Sequence, residues 1–280
     1  MWKKLLGIAA LAGAFVSAPA QAGTIYDWYF QPDGTAATST QINEIFDIVG
    51  PSYVSTTVPD GGGNFSFNEW GAVKVAGHDG FVPLGGGFSG QITSLFTTSG
   101  VATLGGGISY QGGRIDIWSN PTDVFATNTG TYGADQGTLI GTFMPVSGSG
   151  LILPTGIPNG MQTISAEATF LAPGYWIGPD GTTDLSTQVG GSPMLFGFAT
   201  TNASVLNNPT DLMKSALAAD WAGETWTGCL PGQAAPCDGT GKFIISNNGQ
   251  YRLSVPEPGT LALFGLSVML LGAFARRRMS

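Results

Sequence analysis

One histidine, two cysteines and eighteen carboxylates are the side chains of this 280-residue chain best suited to acid–base, nucleophilic or metal chemistry. His78 stands in Gly77-His78-Asp79-Gly80, where a His/Asp dyad or a metal ligand is one reading and Asp-Gly turn chemistry the other. No second His and no nearby Cys support the first, and adjacent side chains on an extended chain point apart, so a turn is expected. Paired carboxyls about 5 to 9 Å apart would serve glycoside hydrolysis. Glu69, Asp116, Glu167, Asp180 and Asp184 are candidates, but nothing in the sequence brings two of them together. Hard cations prefer carboxylate and loop carbonyl oxygens, so Asp60-Gly61, Asp79-Gly80 and Asp180-Gly181-Thr182-Thr183-Asp184 also fit calcium, with Asp180 and Asp184 as the candidate ligands. Solvated turns are the favoured reading of the same residues, and no twelve-residue EF-hand pattern is present. No other cofactor is expected.

Cys229 and Cys237 lie eight positions apart in a stretch containing Gly and Pro. In an exported protein they read as one disulfide closing a surface loop, a closure contributing about 2 to 3 kcal/mol. The Cys-x-x-Cys spacing of metal and redox sites is absent. Gly85 to Gly90 matches Gly-x-Gly-x-x-Gly, but Gln91-Ile92-Thr93-Ser94-Leu95-Phe96 follows as an expected strand, where a dinucleotide site needs a helix. The Gly-x-Ser-x-Gly, His-Glu-x-x-His and phosphate-loop patterns are missing, so a non-enzymatic protein is expected. Trp28, Trp70, Trp118, Trp176, Trp221 and Trp226 could form a sugar-stacking platform or pack a core. Alternation at Trp28 argues for core. Tyr175-Trp176 beside Pro173-Gly174, and Trp221 and Trp226 near the cysteines, are expected at the surface.

The elements that must carry these residues are strands. With 42% apolar and 10% charged residues the chain can bury a core, which excludes a disordered polymer. A net charge of −8 excludes a phosphate-neutralising footprint, so no nucleic-acid partner is expected. Period-two alternation recurs in Tyr26, Trp28 and Phe30, in Phe65 and Phe67, in Val73 and Val75, in Ile92 to Phe96, in Val101 to Leu104, around Ile108 and Tyr110, and around Ile115 and Ile117. It is clearest over Ile164 to Phe170, and returns at Met194, Phe196 and Phe198 and from Phe243 to Val255. Gly61-Gly62-Gly63, Gly85-Gly86-Gly87, Gly105-Gly106-Gly107 and Gly112-Gly113 are expected turns, and Asn247-Asn248-Gly249 a hairpin. One helix is expected from Pro209-Thr210-Asp211 through Leu212, Met213, Ala216 and Leu217 to Gly223, and a second over Gln41 to Val49. The result is an all-β, antiparallel β-sandwich, jelly-roll-like or similar body with one or two short helices.

The ends have other work. Residues 1–22 pair Lys3 and Lys4 with an apolar run and end in Ala20-Gln21-Ala22, the layout of a secretory signal peptide, with Gly23 first in the mature chain. Export through the Sec machinery follows. Residues 23–255 form one exported domain and 256–280 a C-terminal signal. There, Val255-Pro256-Glu257-Pro258 precedes the uncharged run Gly259 to Ala275 and the cluster Arg276-Arg277-Arg278. That run has the length of a minimal transmembrane helix, with the Arg cluster on the cytoplasmic side. Two prolines leave an extended segment without amide donors at either, suited to a protease groove.

Pro-Glu-Pro, apolar helix and Arg cluster, in that order at the terminus, resemble the PEP-CTERM sorting signal of Gram-negative bacteria that make exopolysaccharide. The resemblance implies recognition by an exosortase-type membrane protease, cleavage near Pro256-Glu257-Pro258, transient inner-membrane anchoring, and delivery to the cell surface or extracellular matrix. Asn68-Glu69-Trp70-Gly71, Gly137 to Phe143 and Gly197 to Ser204 are similar to stretches of flocculation-associated PEP-CTERM proteins. This implies a part in floc or biofilm formation with exopolysaccharide. The body keeps five basic residues, Lys74, Arg114, Lys214, Lys242 and Arg252, and all the acidic ones but Glu257, for a net charge of −12. Such a charge favours divalent cations as bridges to acidic polymer. A carbohydrate-binding β-sandwich with a defined sugar site is the alternative.

Overall fold

The computed structural model describes residues 22–153, 159–190 and 195–256. Residues 1–21 of the signal peptide, Ala20 among them, the sorting residues Glu257 and Pro258, the apolar run and Arg276 to Arg278 fall outside them. Twelve strands follow in chain order: β1 (Ala22–Thr24), β2 (Trp28–Phe30), β3 (Thr40–Ile42), β4 (Ile45–Thr56), β5 (Asn64–His78), β6 (Gln91–Thr103), β7 (Gly107–Asn120), β8 (Thr138–Leu153), β9 (Asn159–Leu171), β10 (Trp176–Ile177), β11 (Leu195–Val205) and β12 (Lys242–Pro256). Most are far longer than the alternating segments suggested, because β6 and β7 each run through two of those segments without a break.

β4 to β9 form an antiparallel meander, β11 pairs with β9, and β12 pairs with β11. β12 then pairs with β4, from Lys242 opposite Ser55 to Arg252 opposite Ile45. The antiparallel all-β body expected from alternation is present, and this last pairing closes its sheet into an eight-stranded barrel. Inward positions such as Phe67, Val73, Phe96, Ile115, Ile164 and Leu253 are buried in one core, while outward Ser66, Asn68 and Arg114 are exposed. That polarity belongs to a barrel filled by its own side chains.

β10, β2 and β3 make a separate three-stranded sheet. It carries Trp28, Phe30, Ile42 and Trp176 into the barrel core beside Phe46 and Phe143, at the end where β4 and β8 begin. Trp28 and Trp176 stack with centroids 5.8 Å apart, and the Trp176 indole donates to the Ile140 carbonyl at 2.7 Å. This end is therefore plugged. On the outside, Tyr53, Ala72 and Ile244 lie under an α-helical turn, Asp211–Met213, that continues as a π-helix, Lys214–Trp221. Thr210 caps the turn, its hydroxyl accepting from the Met213 amide at 3.2 Å. Among the described residues no helix is long and apolar enough to cross a membrane.

Several local expectations are corrected. Gln41 to Val49 is not helical: it holds the end of β3 and the start of β4. Ile48 faces the core while Tyr53 on the same strand packs beneath the helix, and a strand covered on both sides loses clean alternation. Asn247-Asn248-Gly249 is no hairpin but the middle of β12, because Asn247 points inward and donates to the Ser52 hydroxyl at 2.8 Å. Gly112-Gly113 lies inside β7 at a register shift. A Cβ on Gly113, at φ +148°, would sit 2.1 Å from the Thr97 carbonyl oxygen, so the glycine permits close strand approach instead of a turn. Gly61 to Gly63 and Gly105-Gly106 do connect strands.

Candidate functional site

The barrel end away from the aromatic plug is hollow. β4 and β6 finish there, β7, β9 and β12 start there, and their inward side chains enclose a cavity of about 300 Å³. Phe65, Phe67, Ile108, Tyr110, Phe243 and Ile245 are among the residues of its wall. Leu104 and Met161 stand at its rim, 46% and 57% exposed. Leu230 and Pro231 reach the same cavity from the loop closed by the Cys229–Cys237 disulfide, which the structure contains as expected. The Lys242 amide donates to the Cys229 carbonyl at 2.9 Å and ties this loop to the first residue of β12.

One acidic side chain enters the cavity. Glu69 follows Phe65 and Phe67 at the next inward positions of β5, and it is only 3% exposed. Its Oε1 accepts from the Ser52 hydroxyl at 2.5 Å, and Ser52 in turn accepts from the Asn247 amide. Its Oε2 faces the Thr98 hydroxyl at 3.3 Å. Burial pushes the Glu69 carboxyl above the usual carboxylate range although both hydroxyls pull it down. Burial also raises the Tyr110 and Tyr251 phenols, with the Glu69 charge adding to both. Among the described residues no ion pair reaches Glu69: Lys74, Arg114, Lys214, Lys242 and Arg252 are paired with Asp123, Asp116, Asp211, Glu224 and Glu44.

A carboxyl whose folded pKa lies above its unfolded one stabilises the fold relative to the charged form at low pH, and that advantage is lost as pH rises through the folded value. Glu69→Gln is therefore expected to raise stability at neutral pH and to change it little below pH ~4, with a gap that widens by up to about 1.4 kcal/mol per pH unit between. Denaturant unfolding of both proteins across pH 3 to 8 measures it, and parallel curves would show that Glu69 titrates at the same pH in the folded and unfolded chains.

The other sequence candidates do not converge on this cavity. Asp116 is held by Arg114 at 2.7 Å and by the Thr142 hydroxyl at 2.6 Å. Glu167 lies on β9 opposite Met144. Asp180 accepts the amides of Thr182 and Thr183 and the Thr183 hydroxyl, bonds that bring its pKa down to about 2, the Thr183 hydroxyl most of all. Asp184 accepts the amides of Gly174 and Ser186, the latter opening a short 3-10 helix. Each of the two calcium candidates thus serves its own turn. Among the described residues no group of three or more His, Cys, Asp or Glu is placed to hold a metal ion.

His78 and Asp79 do touch, Nδ1 to Oδ2 at 2.9 Å, because Asp79 takes a left-handed φ of 47° at the end of β5 and turns its side chain back. The same carboxylate accepts the amides of Asn43, Glu44 and Ile45, so the pair fastens β4 to β5. Trp176, expected at the surface, is fully buried, and with Trp28 it is removed from any sugar platform. Trp70, Trp118, Trp221 and Trp226 are half-buried. Strand β6 begins at Gln91, directly after the Gly-rich run, as expected.

At the end of β12, residues 254–278 match the PEP-CTERM protein-sorting motif. The chain carries a PEP-CTERM sorting signal. This PEP-CTERM motif implies an exported protein, processed by an exosortase at the membrane and delivered to the surface or beyond. No curated protein and no solved structure matches the PEP-CTERM chain.

Proposed function

We propose that the exported body is a non-enzymatic surface or extracellular-matrix protein that supports flocculation or biofilm formation together with exopolysaccharide. The sorting motif at residues 254–278 supports this reading, since it implies export of the body to the surface or beyond. Export would begin with the N-terminal signal peptide and the Sec machinery. The surface chemistry fits the role. All five basic residues of the body are paired with carboxylates, and the acidic excess includes Asp27, Asp60, Asp180, Asp220 and Asp238, all exposed. Turn hydrogen bonds hold Asp60, Asp180 and Asp238 below the usual carboxylate range, so they stay charged in mildly acid surroundings. Divalent cations would bridge such a body to acidic polysaccharide.

Removing the gene region from the producing bacterium is expected to abolish flocs while polymer length and yield stay normal. Chelating divalent cations is expected to release the protein from flocs, with calcium restoring it. Altered polymer length in the deletion strain would indicate an enzyme instead, and binding indifferent to chelation would remove cation bridging.

A further inference from the structure

Three properties of the barrel cavity bear on what it holds. Its wall is mostly apolar, with Thr56, Glu69, Tyr110 and Gln162 as its polar members. Its floor carries one carboxyl with no cation beside it, as every basic residue of the body is committed elsewhere. Its rim exposes Leu104 and Met161, large apolar side chains continuous with the wall. At interior packing density, about 0.74, a space of about 300 Å³ takes roughly a dozen non-hydrogen atoms.

We propose that this cavity binds a small uncharged amphiphile, a chain of about ten carbons ending in a hydroxyl, with the hydroxyl at Glu69 and the chain running past Phe65 and Ile108 to Met161. The Glu69 carboxyl, buried with no cation beside it and held above the usual carboxylate range by that burial, suits a hydroxyl as partner and disfavours a second carboxylate. A charged head would also enter an apolar space without a counter-ion, a costly transfer. The proposal stands apart from the matrix role and survives or fails without it.

The exported, processed protein, titrated calorimetrically at pH 7, tests it with 1-decanol and decanoate as probes. One saturable decanol site with a roughly micromolar Kd is expected, with decanoate at least about tenfold weaker. Ala102→Phe, which fills the cavity from a buried wall position, is expected to weaken decanol binding at least about tenfold. Should that ring prevent folding, Ile108→Trp narrows the cavity from a half-buried position and is expected to do the same. No saturable decanol binding, equal affinity for the two probes, or decanol binding unchanged in a folded Ile108→Trp protein would each overturn the assignment.

Discussion

Trp176→Ala is expected to destabilise the body by about 3 to 5 kcal/mol, the range for emptying a buried aromatic site. Trp176 stacks on Trp28 and lies 5.1 Å, centroid to centroid, from Phe30, with Phe46 and Phe143 at its edges. Its indole also satisfies the Ile140 carbonyl, which the substitution leaves buried. β10 contributes only Trp176 and Ile177 to the small sheet, so little else holds that strand against β2. In a domain of this size each kcal/mol moves Tm by about 2 to 4 °C, and thermal unfolding should fall by roughly 10 °C. Trp226→Ala, on the outer patch where Lys214 lies 4.8 Å above the ring, is expected to cost only about 1 to 2 kcal/mol. Equal losses in the two proteins would contradict the plug.

Gly71→Ala is expected to cost about 3 kcal/mol, a large effect for one methyl group. Gly71 on β5 stands directly opposite Phe96 on β6, and the ring of Phe96 folds across it. A Cβ there would lie 2.1 Å from Cζ and 2.3 Å from Cε1 of that ring. Phe96 is buried in the core and cannot swing into solvent, so ring or strand must shift. The strain resides in one pair, which a double-mutant cycle isolates. Phe96→Leu alone should be destabilising, yet in the Gly71→Ala background it should cost less, with a coupling above about 1 kcal/mol. Additive losses would show that the glycine serves the backbone alone.

Strand content was legible wherever one face met the core and the other met water. Ile164 to Phe170 is such a stretch, and it lies within β9 as alternation predicts. Legibility failed where that contrast vanished, as in β4, whose second face is covered by the helix 211–221. It failed again where a turn-forming type had a tertiary partner: Asn247 looks like a hairpin residue until Ser52 is placed beside it. Trp176 was misplaced by its neighbours Pro173 and Gly174, which describe the approach to β10 and not the destination of the ring. Glu69 carried a readable sign, since its parity matches Phe65 and Phe67 and puts a carboxyl inside. What hides in any linear reading is the wall built around it by residues from Val54 to Ile245.

Pairing β12 with β4 joins residues 187 to 207 positions apart, from Lys242 with Ser55 to Arg252 with Ile45, and no local pattern announces it. Until β12 emerges, the growing meander carries two raw edges with open amides and carbonyls, a template for pairing with neighbouring chains. Afterwards, among the described residues, each of the eight barrel strands has a partner on both sides. Closure of the barrel thereby guards an exported protein against fibril growth by strand addition at these eight strands.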